Sequence, residues 1–127
     1  MLDLAQDEAM AAFDWSKVET TTRLPAHLND FFERHGMTPM QHGSRRVYNR
    51  FFLRSRAIVR REGISLGAYS VDASRSGIAF LSPVEIGLGE RVGIRLPKTK
   101  EFQVEIVRCR RLEDECFECG AVFVLGK

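Results

Sequence analysis

The chain has 127 residues, enough for one domain with a single hydrophobic core and too few for two substantial ones. Its net charge of +2 hides two unlike halves: residues 1–43 hold three basic and seven acidic side chains, and residues 44–127 hold sixteen and ten. The opening Met1-Leu2-Asp3-Leu4 has no basic head and no apolar run, so neither a secretion signal nor a membrane span is expected and a cytoplasmic location is; Cys109, Cys116 and Cys119, odd in number, speak for reduced thiols rather than a disulfide framework.

Residues 3–14 place Ala5, Ala9, Met10 and Phe13 on one face at helical spacing, with Asp3 and Gln6 arranged as a capping box, and predict a short amphipathic helix. The Thr20-Thr21-Thr22 stretch favours extended or loop conformation. Leu24, Leu28, Phe31 and Phe32 then recur at helical spacing between Pro25, a first-turn residue, and Gly36, a stop, which predicts a second helix over 25–35. Residues 37–44 contain Pro39 and Gly43 and read as a linker. Residues 1–43 are thus expected to be a helical extension ahead of a domain spanning 44–127.

From residue 50 the period changes to two. Apolar runs separated by Gly, Pro or charged turns predict strands over 51–61, 65–72, 77–81, 91–96, 101–112 and 116–124. Val92, Ile94 and Leu96 alternate with Arg91, Gly93 and Arg95, and Phe102, Val104 and Ile106 with Glu101, Gln103 and Glu105, so each strand has one buried face. Six antiparallel strands in so short a stretch suit a small closed barrel, which leaves no exposed edge.

Two stretches carry chemistry. Arg45, Arg46, Arg50, Arg54, Arg56, Arg60 and Arg61 fall within seventeen residues that contain no acid, a local excess that attracts anions. Arginine's planar fork fits phosphate oxygens or the O6/N7 edge of guanine. Downstream, Asp72 and Ser74 offer acceptors beside the bare Gly77. A ligand with two phosphates and two guanines would use both sets, whereas a plain anion would use only the arginines, so a cyclic dinucleotide is the preferred candidate.

Arg46-x-x-x-Arg50 followed by Asp72-x-Ser74-x-x-Gly77 resembles the paired signature of the PilZ family over roughly residues 44–125. The resemblance implies a mainly β fold, a six-stranded antiparallel barrel, and a non-catalytic receptor that binds cyclic di-GMP, holds no cofactor or metal, and passes the signal to a partner protein. By the same resemblance, Arg46 and Arg50 would clamp phosphates and guanine edges, Asp72 and Ser74 would contact guanine or its sugar, and Gly77 would permit the turn and a close ligand approach. Arg45 is a further ligand residue or a solvated neighbour. Many members carry a helix after the last strand where this sequence ends at Lys127; Met10, Phe13, Phe31 and Phe32 are expected to cover that end of the barrel, on the same molecule or on a second copy in a homodimer, in preference to serving as a partner-binding arm.

Plainer readings hold elsewhere. Arg54, Arg56 and Arg60 share one parity and are expected to form a solvated outer face. Cys116-Phe117-Glu118-Cys119 has half the spacing of a zinc knuckle but no second pair, so structural thiols are expected. Ser74 lacks a nucleophile elbow and a nearby histidine, and Trp15 is expected to pack rather than bind. Two rival functions remain: a nucleic-acid-binding barrel using the arginine-rich strand, marked by steep salt dependence, and a barrel that serves only as a protein-interaction module.

Overall fold

The computed structural model describes residues 15–26, 31–33, 36 and 50–124. Seven strands make one sheet: β1 (Thr20–Thr21), β2 (Phe51–Arg61), β3 (Ile64–Ala73), β4 (Gly77–Ser82), β5 (Arg91–Arg95), β6 (Phe102–Glu113) and β7 (Cys116–Phe123). Their order is β3-β2-β5-β6-β7-β4, and β4 pairs back onto β3, so six antiparallel strands close a barrel. The period-two reading placed these six strands within a residue or two of their bounds.

The interior holds Val92, Ile94, Val104 and Ile106, as alternation predicts, together with side chains from the other strands. Val59, Ile78, Phe80, Val92, Ile94, Val104, Ile106 and Cys119 are all at most 1% exposed, and Ile86, from the turn-rich connection between β4 and β5, joins the same cluster. The β2–β3 hairpin turns on Glu62 and Gly63, with φ of 52° and 81°, the left-handed pair that suits a two-residue hairpin.

β1 is the addition. It runs parallel to β3, pairing Thr20 with Leu66 and Thr21 with Gly67, and so covers the part of β3 that β4 does not reach. Gly67 makes this approach possible, because a Cβ there would lie 2.7 Å from Thr21 Oγ1. Beyond β1, the buried Thr22 donates its N–H to Gly67 O at 2.8 Å, and its hydroxyl sits 2.8 Å from Gly67 O and 3.0 Å from Leu81 O.

The helix expected over 3–14 lies outside the described residues, as do residues 27–30 and 34–35 of the second. Phe31–Glu33 forms a 3-10 turn. Phe31 is 1% exposed and packs on Val71, Ala79, Leu81 and Cys116, which are buried on the outer wall of β3, β4 and β7. The amino-terminal segment therefore covers a wall of the barrel on its own chain, where an end of it was expected to be covered. Trp15 does pack, 5.6 Å from the Tyr69 ring.

Candidate functional site

The two motifs meet where β2 begins and β3 ends. Phe52 is the register partner of Asp72, and Arg50, just ahead of β2, reaches across so that its Nη1 donates to Asp72 Oδ1 at 3.0 Å. The pair is partly shielded, with side chains 21% and 18% exposed. A guanidinium and a carboxylate so placed satisfy one another while keeping an open side, on which a ligand with both donors and acceptors could exchange with either.

Two irregularities aim these side chains. The β2–β3 register shifts between Phe52 and Ser55, and the buried Ser70 fills the bulge: its hydroxyl donates to Leu53 O and accepts from Ser55 N at 3.1 Å. On its other side β3 shifts against β4 between Ser70 and Asp72. Bulges turn a strand and redirect its side chains, and these two lie immediately before Arg50 and Asp72 reach the rim.

Ser74 opens the β3–β4 turn. Its N–H donates to Gly77 O at 2.9 Å, and its hydroxyl accepts from Ser76 N at 3.2 Å. Phe123 N donates to Ser76 O at 2.9 Å, tying the turn to β7. Gly77 has a reason to be glycine that differs from the expected one: a Cβ would lie 2.1 Å from Ala121 O, so the close pass of β7, rather than the turn, forbids a side chain.

Arg45 and Arg46 lie outside the described residues. The chain on either side of them is placed, because Phe52 N donates to Gly36 O at 2.7 Å. Gly36 and Arg50, the described residues on either side of 37–49, thus both lie at the start of β2. Beside the rim, Leu53, Ala73, Ile78, Leu96, Phe102 and Phe123 line an apolar hollow of about 370 Å³ at the barrel mouth.

Of the arginines expected on a solvated outer face, Arg56 and Arg60 are exposed, and Arg54 departs from the expectation. Arg54 is half-buried; its Nε donates to Val71 O at 2.9 Å, and its Cζ lies 4.3 Å from the Phe31 ring centre and 4.9 Å from that of Phe52, within cation–π range of both. Arg56 lies over Trp15. Arg60 faces Glu101 at 3.6 Å, and Arg61 binds Glu90 through Nε at 2.6 Å and Nη2 at 3.1 Å. The hydrogen bond from Arg61 holds the Glu90 carboxyl below the usual range against the opposing effect of its burial. Acids absent from the arginine-rich run arrive from later connections, Glu90 just ahead of β5 and Glu101 just ahead of β6, which sequence distance conceals.

The two thiols of Cys116-x-x-Cys119 belong to different clusters, one outside the barrel and one within, so they cannot share an ion. Among the described residues no helix is long and apolar enough to cross a membrane.

The family model for the PilZ domain matches residues 44–126, about two thirds of the chain, and spans both motifs and all six barrel strands. No curated protein matches the chain.

Proposed function

The chain belongs to the PilZ family, and from that membership we propose that it is a non-catalytic receptor for cyclic di-GMP. The observation that carries the reading is the Arg50–Asp72 contact at 3.0 Å, which joins the two motifs at one rim. In this reading Arg46 and Arg50 grip phosphate and the O6/N7 edge of guanine, Asp72 accepts guanine N1–H and N2–H, and the Ser74 hydroxyl bonds base or sugar. Arg45 is a further contact from the same segment. Adenine reverses donor and acceptor at the six-position, so an adenine dinucleotide would leave these groups unpaired.

Capture requires Arg50 to share or leave Asp72. Phe52 bonds Gly36 and stacks on Arg54, and Arg54 stacks on Phe31, so a shift at the rim reaches the amino-terminal segment through three touching side chains. We propose this as the route by which binding is passed to a partner protein. It follows the rule that a ligand shifts an equilibrium only through contacts differing between two states.

Calorimetric titration of the chain tests the proposal. Cyclic di-GMP is expected to give a saturable heat, and cyclic di-AMP little or none. Absence of heat at high-micromolar cyclic di-GMP would refute the receptor reading. Heat with single-stranded nucleic acid that falls steeply with salt would favour the rival, against which stand the acids that pair Arg60 and Arg61.

A further inference from the structure

Cys116 and Cys119 stand out in the sequence, but the fold gives Cys119 another neighbour. It faces Cys109 directly across the β6–β7 ladder, with the two Sγ atoms 3.4 Å apart and the Cys119 thiol donating to Cys109. Cys119 is fully buried, whereas Cys109 is partly open to solvent. Cys116 points to the other side of the sheet, packed with Phe31 and Leu81.

We propose that Cys109 and Cys119 form a reversible oxidation site, which closes to a cross-strand disulfide when a hydroperoxide reaches Cys109. The backbone permits it. Directly opposed residues of an antiparallel pair have Cα atoms about 4.5 or 5.5 Å apart, according to their hydrogen bonding, and both spacings fall within the range of about 4.4–6.8 Å found for disulfides. The sulfurs must approach by about 1.4 Å to reach bonding distance, a movement that side-chain rotation can supply.

In the first step the Cys109 sulfur attacks a peroxide oxygen. The O–O bond breaks, Cys109 becomes a sulfenic acid, and water or an alcohol leaves. In the second, the Cys119 sulfur attacks the sulfenic sulfur; the S–O bond breaks and the hydroxyl leaves as water with the Cys119 proton. Two thiols lose two electrons and two protons, and the hydroperoxide takes up both. Exposure assigns the order. Burial, with Cys109 alongside, pushes the Cys119 thiol up, so it resolves rather than initiates.

The full chain treated with hydrogen peroxide, denatured, alkylated and mapped by mass spectrometry decides the matter. The expected product has lost about 2 Da, carries one bridge between the peptides of Cys109 and Cys119, keeps an alkylatable Cys116, and reverts with dithiothreitol. Cys116→Ser should still close the bridge and Cys109→Ser should not. Three alkylatable thiols after treatment, a bridge to Cys116, or oxidation of Cys109 beyond sulfenic acid with no bridge would each overturn the proposal. None of these outcomes depends on nucleotide binding.

Discussion

At the scale of single residues, the Arg50–Asp72 pair makes two demands that can be separated. As a partly exposed ion pair it contributes at most about 1 kcal/mol to stability, while in the proposed guanine-reading set each good bidentate contact would be worth about 1–3 kcal/mol of discrimination. Asp72→Ala and Arg50→Ala are therefore expected to weaken cyclic di-GMP binding by about 10- to 100-fold with little change in melting temperature, as titration and thermal melts would show. Gly77→Ala should do the reverse. Its Cβ would strike Ala121 O, forcing β4 from β7 at a cost of about 1–3 kcal/mol, seen as a lower melting temperature in the absence of ligand. The motif residues were legible from their spacing. The pairing of Arg50 with Asp72 was not, because it follows from a cross-strand register that two bulges set, and the packing constraint on Gly77 was not, because it comes from a strand more than forty residues away.

At the scale of elements, the barrel strands could be read because each alternates against one interior, so the same two-residue period fixes its face and approximate ends. β1 could not. Two threonines have no period, and what makes them a strand is the missing side chain at Gly67 and the part of β3 left unpaired by β4. Nor could the second cluster be foreseen: Val71, Ala79 and Leu81 look outward by parity, and Phe31 and Leu24 from the amino-terminal segment pack over them. Arg54 links that cover to β2. Arg54→Leu is expected to loosen residues 15–36 on the barrel, raising amide exchange in that segment several-fold while β5 and β6 remain protected. The β2–loop contact has its own signature. Because the folded state holds Glu90 below its ordinary pKa, the Arg61–Glu90 bond stabilises the fold fully above the unfolded carboxylate pKa of about 4.3 and loses that contribution as pH falls through the lower folded value. Glu90→Gln should therefore lower the melting temperature at neutral pH and flatten its decline in acid, with the two proteins converging at the lowest pH.

At the scale of the whole molecule, charge was the least transferable reading. Seven arginines within seventeen residues and no acid among them suggested an open cationic face, but the barrel brings Asp72, Glu90 and Glu101 to Arg50, Arg61 and Arg60, and aromatic rings to Arg54 and Arg56. This redistribution leaves the arginine-rich strand a poorer anion surface than its sequence suggests, and the proposed ligand site is the rim where Arg50 meets Asp72. The proposal is at heart one of place: cyclic di-GMP would sit there, between Arg50, Asp72 and Ser74. Two-dimensional NMR of the labelled chain with cyclic di-GMP added tests that directly. The account predicts that the arginine side-chain signal of Arg50 and the amides of Asp72, Ser74 and Ser76 shift together and saturably, while those of the Glu62-Gly63 turn at the far end do not. Shifts confined to the Arg56–Arg60 face, or spread evenly over the barrel, would contradict it.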